Sequence, residues 1–219
     1  MRRQGGILEN AGAQVLITVP EGRALARLTR AMVPSLREVL CVGELAGNSA
    51  ALQAVTRQPG DLALLQYTSG STGAPKGVCL SSAHLDQVSA AIVDALVGAT
   101  PRRHLSLLPL SVLLEQVAGV GAALLADAEV VLPTLAETGL IGAAQLDPMQ
   151  MAACIDRHRP ESLILVPQML QGLLFAIGRG GSAPARLRFV AVGGAPVAQR
   201  MLETARAHSI PVYEGYGLS

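Results

Sequence analysis

Short apolar runs alternate with longer amphipathic ones along nearly the whole chain, and that alternation limits the fold more than any other feature. Val15–Val19, Glu38–Val42, Leu62–Tyr67, Leu105–Leu107, Glu129–Leu132, Ser162–Val166, Leu187–Val192 and Pro211–Tyr213 have the length and the β-branched or leucine-rich content of strands. Between them lie helical stretches. One opens at Ser81 or Ser82 and runs to about Val97, with Leu85, Val88, Ile92 and Leu96 on one face. Another spans about Leu113 to Leu125. Asp147-Pro148 starts a third, ending near His158, with Asp as N-cap and Pro at the first helical position. A fourth begins at Pro167 and stops at Gly178, and a fifth runs from Pro196 to about Ala207. Strands separated by helices predict an α/β fold with largely parallel sheets flanked by helices.

Composition supports this and removes several alternatives. The 219 residues are half hydrophobic and only 15% charged, far from the signature of disorder. A net charge of +1 gives no global attraction to nucleic acid, and the lack of Trp leaves little for base stacking on single strands. Cys41, Cys79 and Cys154 are odd in number, widely spaced and outside any Cys-x-x-Cys, so they read as idle or buried thiols. Basic Met1-Arg2-Arg3 is followed by Gln4-Gly5-Gly6 and not by an apolar stretch, which does not match a signal peptide. The apolar region Leu105–Leu125 is interrupted by Pro109 and Glu115 and falls short of the roughly 20 residues of a spanning helix. The expectation is a soluble, cytoplasmic protein, with a visit to a membrane surface left open.

The chemistry is concentrated at Gln66–Gly77, Q-Y-T-S-G-S-T-G-A-P-K-G. A loop of Gly, Ser and Thr that follows a strand and ends in Lys suits phosphate. Glycines let backbone N–H groups turn inward, hydroxyls add donors and Lys76 adds a point charge. The Walker pattern G-x-x-x-x-G-K-[ST] does not fit. Counted from Gly70, its second glycine falls on Pro75, which has no N–H, and Lys76 is followed by Gly77 where a Mg²⁺-binding hydroxyl belongs.

Tyr67-Thr-Ser-Gly-Ser-Thr-Gly-Ala-Pro-Lys-Gly77 resembles, without a break, the signature of the adenylate-forming (AMP-binding) superfamily, which includes acyl-CoA synthetases, peptide-synthetase adenylation domains and luciferases. Two later stretches agree in order. Val192-Gly-Gly-Ala-Pro196 is similar to the segment lining the adenine pocket, and Tyr213-Glu-Gly-Tyr-Gly-Leu-Ser219 to the motif in which a Tyr packs on adenine and a Ser or Thr meets the α-phosphate. The resemblance implies a nucleotide site built from Thr68, Ser69, Gly70, Ser71, Thr72, Gly73 and Lys76, from Gly193, Gly194, Ala195 and Pro196, and from Glu214, Gly215, Tyr216, Gly217 and Ser219. Lys76 and Ser219 are implied as catalytic, Tyr216 as the stacking ring, and Thr72 as support for a metal whose expected Glu ligand lies one position past Ser219. ATP, Mg²⁺ and CoA are the implied reactants of a full-length family enzyme.

Leu105-Ser-Leu-Leu-Pro-Leu-Ser-Val-Leu-Leu-Glu-Gln116 is similar to a segment of long-chain fatty acyl-CoA synthetases. Pro109, Leu110, Ser111 and Glu115 fit, while Val112 replaces the family's His and implies an apolar wall. An ordinary helix start remains an equal reading of this segment. Pro167-Gln168-Met169 is expected near the acyl channel. The implied function is carboxylate activation by acyl-AMP formation and then thioester formation, on a fatty or other apolar acid.

The resemblance implies a partial N-terminal domain of the acyl-CoA synthetase-like fold. Residues 1–60 form the end of a first subdomain with its connector, and residues 61–219 an ATP-binding subdomain without the C-terminal lid. The alternative is a noncatalytic remnant or interaction module that binds nucleotide weakly or not at all. For the 219-residue chain alone, no acyl-AMP formation is expected, and exposed apolar surface predicts self-association.

Overall fold

The computed structural model describes residues 2–45, 53, 55–68, 76–96, 98–141, 145–215 and 217. The chain divides into two compact units, Met1–Ser82 and Ala83–Ser219.

The first unit opens with helix α1 (Arg2–Asn10), strand β1 (Val15–Thr18), a short 3₁₀ turn (Pro20–Gly22), helix α2 (Arg23–Met32), strand β2 (Glu38–Cys41) and the single-turn α3 (Val42–Leu45). β1 and β2 pair in parallel, as a strand–helix–strand unit must. Neither α1 nor α2 is expected from the sequence. Gly5-Gly6 gives α1 poor helix propensity; α2 is amphipathic, with Arg23, Arg27 and Arg30 along one face, yet it buries only Ala26 and Thr29 and leaves Leu25, Leu28 and Met32 exposed.

Strands β3 (Leu62–Thr68) and β4 (Lys76–Ser81) complete this unit as an antiparallel hairpin. β4 is not among the strands expected from the sequence, which places only the end of the glycine-rich loop before the helix opening at Ser81 or Ser82. The stretch Val78-Cys-Leu80 is apolar enough to pair with β3, and Thr68 and Lys76 face each other at the end of the hairpin nearest the connecting residues 69–75. Gly77 lies opposite Tyr67, and a Cβ there would sit 3.0 Å from Tyr67 Cζ. Glycine at 77 therefore leaves room for the tyrosine ring, whose hydroxyl donates to Asn10 Oδ1 at 2.6 Å.

The second unit contains helix α4 (Ser82–Ala95, its first residue shared with the first unit), strand β5 (Arg103–Leu105), a π-helical stretch (Glu115–Gly121) continuing as α5 (Ala122–Leu125), and strand β6 (Glu129–Val131). A small hairpin follows, β7 (Leu140–Ile141) with β8 (Gln145–Leu146). Then come α6 (Pro148–His158), β9 (Ser162–Leu165), α7 (Pro167–Gly178), β10 (Phe189–Val192), α8 (Gln199–Ala207) and β11 (Val212–Glu214). Five strands form one parallel sheet in the order β11-β10-β9-β5-β6. The α/β class with a helix-flanked parallel sheet is as expected.

Local chemistry explains several boundaries. Asp147 accepts from the N–H groups of Met149 and Gln150 at 2.9 and 3.1 Å, which makes it the N-cap expected before Pro148. Pro167 starts α7 as its first residue. Helix α8 begins at Gln199, three residues later than expected, because residues 195–198 remain in the turn after β10.

β9 is the central strand, and all four of its residues are buried. Leu163, Ile164 and Leu165 pack with Leu105, Leu107, Met151, Ile155, Met169, Leu170, Leu173, Val190 and Val192 into one core. A strand covered on both faces needs no polar alternation, which is why Ser162–Val166 reads as an apolar run.

Candidate nucleotide-binding site

In an open parallel sheet, ligands gather outside the carboxyl ends of the strands, near the place where strand order reverses. Here the chain moves outward from β5 to β6 and then returns to β9, β10 and β11 on the other side, so the reversal lies between β5 and β9. The segments leaving those carboxyl ends are Ser106–Leu114, Val166-Pro167, Gly193–Pro196 and Gly215.

Two backbone bonds draw the last segments together. Gly193 N–H donates to the Leu165 carbonyl at 3.1 Å, and Gly215 N–H donates to the Val192 carbonyl at 2.9 Å. Each continues a ladder one residue beyond its strand. A Cβ on Gly193 would stand 3.1 Å from both the Gly215 carbonyl oxygen and Leu114 Cδ2, so a side chain there would have to push one of them aside. Gly194 has φ +84°, the left-handed conformation that glycine adopts without steric penalty. The result is a flat edge of backbone with Gly194, Ala195 and Pro196 exposed.

Glu214, at the end of β11, accepts from Val197 N–H at 3.2 Å. It holds the turn after β10 against β11 and stays exposed itself. Gly193, Gly194, Ala195, Pro196, Glu214 and Gly215 are thus brought together. Gly217 is exposed. Tyr216 and Ser219 lie outside the described residues.

On the other unit, Thr68 ends β3, and Lys76 begins β4 with its side chain exposed. Ser69, Gly70, Ser71, Thr72 and Gly73 lie outside the described residues. Among the described residues, no group of three His, Cys, Asp or Glu is placed to hold a metal ion. No described helix is long and apolar enough to cross a membrane.

One polar cluster beneath the site is not expected from the sequence. His104 on β5 faces Ser162 on β9 across the parallel ladder. Its Nδ1 lies 3.1 Å from Ser162 Oγ and its Nε2 lies 2.7 Å from Glu115 Oε1. At the second distance a proton must lie between nitrogen and oxygen. All three residues are buried, and Glu115 Oε2 has no hydrogen-bond partner among the described residues. The sequence carries a faint trace of the cluster in Glu115 and Gly119, four positions apart. A Cβ on Gly119 would sit 2.5 Å from Glu115 Oε1 and 2.6 Å from His104 Nε2.

Comparison with known proteins agrees with this geometry. The AMP-binding enzyme family matches residues 2–219. The chain is 33% identical over 161 residues to the 2-succinylbenzoate–CoA ligase of Bacillus velezensis, covering 73% of this chain and 30% of that protein. It is 30% identical over 220 residues to the feruloyl-CoA synthase of an Amycolatopsis species, covering 97% of this chain and 40% of that protein. Its fold is similar to the inhibitor-bound N-terminal domain of FACL13 from Mycobacterium tuberculosis, with a TM-score of 0.78 and 21% identity over 99% of this chain and 54% of that one. The chain therefore spans about 30 to 40% of the length of these curated relatives. With the family match running along nearly its whole length, the chain belongs to the AMP-binding enzyme family.

Proposed function

We propose that the full-length protein carrying this chain activates a carboxylic acid with ATP and passes the acyl group to CoA. A carboxylate oxygen attacks the α-phosphorus and pyrophosphate leaves, giving acyl-AMP. The CoA sulfur then attacks the acyl carbon, AMP leaves and the thiol proton goes to solvent. The observation that carries this reading is the exposed backbone edge of Gly194 and Gly215 at the carboxyl ends of β10 and β11, backed by the buried Gly193, which a flat base can approach closely.

In this reading residues 61–219 supply the nucleotide-binding parts, although the β3–β4 hairpin packs within the first unit. Adenine lies along Gly193–Pro196 with Tyr216 stacked on it, Glu214 keeps the wall in place, and Gly215 and Gly217 allow the approach. Ser219 meets the α-phosphate. Thr68 and residues 69–73 hold the outer phosphates, and Lys76 neutralises charge as pyrophosphate departs. Mg²⁺ supplies further neutralisation to phosphates in such chemistry. Beyond Thr72 as a support, the described residues offer no acidic cluster that fits it, and no step is assigned to it.

The acid we propose is apolar, with a fatty acid preferred. The stretch Leu105–Leu114 carries no charged side chain, and Val112 is apolar. Two matched relatives are named for feruloyl and 2-succinylbenzoate substrates, so aromatic acids belong in the same test. We place the reaction in the cytoplasm, where Cys41, Cys79 and Cys154 remain free thiols.

Carboxylate-dependent exchange of pyrophosphate into ATP, measured on the full-length protein with fatty and aromatic acids, is the direct test. No exchange with any acid would sink the reading. In the same protein Lys76→Ala should slow single-turnover acyl-AMP formation about a hundredfold, the loss typical of one preorganised charge-stabilising group. An unchanged rate would show that Lys76 does not neutralise the departing pyrophosphate.

A further inference from the structure

The buried Ser162–His104–Glu115 cluster contains the three residue types of a nucleophile, a base and an acid. It cannot work as a catalytic triad. Ser162, His104 and Glu115 are 5%, 1% and 0% exposed, so no substrate reaches the hydroxyl. Its role has to be exerted through what it holds.

It holds an unusual helix. From Glu115 to Gly121 the chain is π-helical, a geometry found mostly in short stretches and often near functional sites. Glu115 is the first residue of that stretch, and its carboxylate is tied to His104 on β5. Further along the same stretch, the Val117 carbonyl accepts from Ser89 Oγ on α4 at 3.1 Å. Both anchors need glycine. A Cβ on Gly119 would collide with Glu115 Oε1 and His104 Nε2, and one on Gly121 would stand 2.6 Å from Ser89 Oγ. Buried polar groups with few solutions fix one register of the stretch, because any slip leaves a carboxylate or an imidazole unpaired.

The register matters because of the residue just before it. Leu114 packs its Cδ2 against the face of Gly193, where a Cβ would be only 3.1 Å away. Gln116, just after Glu115, donates from Nε2 to the Leu110 carbonyl and ties down the loop that leads into Leu114. The buried cluster, the π-helical stretch, Leu114 and Gly193 therefore form one continuous chain of contacts.

We infer that Glu115, held by His104 and Ser162, is a positioning residue for nucleotide binding: it fixes the π-helical register that presses Leu114 against Gly193 and keeps the adenine-side edge flat. This rests on the ATP-dependent activation proposed above. The Oε2 atom, without a partner among the described residues, supports a group retained for placement, since a buried unpaired acceptor is otherwise unfavourable.

The test is steady-state kinetics of pyrophosphate exchange on the full-length protein, with KM for ATP and for the acid measured separately. Glu115→Ala and Gly119→Ala should each raise KM for ATP about tenfold, in line with misplacement remote from the chemistry, and leave KM for the acid within about twofold. Glu115→Gln keeps an oxygen toward His104 Nε2 and should restore most of the ATP affinity. Leu114→Ala removes the contact with Gly193 without touching the buried cluster, and should reproduce the ATP effect even where the cluster variants do not fold. Unchanged KM for ATP in Leu114→Ala overturns the inference. So does a Glu115→Gln variant as impaired as Glu115→Ala, or an equal rise in both KM values. In those cases wild-type exchange still stands and the proposed function survives. Absence of wild-type exchange removes both.

Discussion

Val15-Leu-Ile-Thr-Val19 and Ser162-Leu-Ile-Leu-Val166 share three of five residues, and the molecule treats them differently. Both enter parallel pairings. In the first unit β1 has one neighbour among the described residues, β2, and Ile17 is 57% exposed. In the second, β9 lies between β10 and β5, and Ile164 is fully buried. A parallel strand acquires its apolar value only when strands flank it and helices cover both faces. The two peptides carry similar propensity, and the difference in burial comes from the number of layers around each.

The sharpest way to break this comparison is to truncate both isoleucines. Ile164→Ala should lower unfolding stability by about 2–5 kcal/mol, whereas Ile17→Ala should stay within about 0.5 kcal/mol. Urea unfolding of the two variants measures this. Similar losses would mean that β1 is as well covered as β9.

A smaller effect concerns association. Val15, Ile17, Val19, Leu25, Leu28 and Met32 are all exposed in the first unit, an apolar display larger than scattered surface residues require. We propose that the 219-residue chain self-associates through this surface. Sedimentation velocity should show a concentration-dependent larger species that Ile17→Lys reduces. An unchanged distribution in the variant would assign any association elsewhere.

The smallest effect lies in the second unit, away from its core. Glu137 accepts from the Thr134 N–H at 2.9 Å and from its hydroxyl at 3.0 Å, with Arg157 at 3.3 Å from its other oxygen. The backbone N–H of Thr134, then its hydroxyl, and more weakly Arg157 hold the Glu137 carboxyl below its ordinary value of 4.5. A folded-state value below the unfolded one stabilises above the ordinary carboxylate range, and that contribution fades as pH falls through the folded value. The melting temperature should therefore drop slightly less between about pH 6 and pH 3 in Glu137→Gln than in the parent chain. A steeper drop in the variant would contradict the sign. The neighbouring Cys154 thiol is pushed up by burial and by Glu137, so it stays protonated through this range.

Much of the second unit is legible from local signals. Asp147-Pro148 names its own helix start, Pro167 another, and the apolar run 162–166 its strand, because caps, prolines and full burial are written within a few residues. The strand expected at Leu105–Leu107 forms two residues earlier, at Arg103–Leu105. Pairing with β6 and β9 set that boundary, and β5 is charged at its start where an apolar count sees nothing. β4 is hidden for a similar reason. Lys76-Gly77 looks like the end of a loop until Tyr67 is placed opposite Gly77.

The candidate site divides along the same line. Gly193, Gly194, Gly215 and the lysine-ended loop at 66–77 are visible as motifs because, in the proposed nucleotide site, close backbone approach and phosphate charge would demand particular residue types at fixed spacing. That His104, Ser162 and Glu115 meet is a different kind of fact. They come from two strands and a helix, up to 58 positions apart, and no local rule relates them. By itself the sequence determined the α/β class and the helix starts at Pro148 and Pro167, since each follows from short-range sterics and chemistry. Only the tertiary structure decided which apolar strand is buried, why Gly119 has no side chain and how Leu114 comes to rest on Gly193, because those depend on contacts between segments distant along the chain.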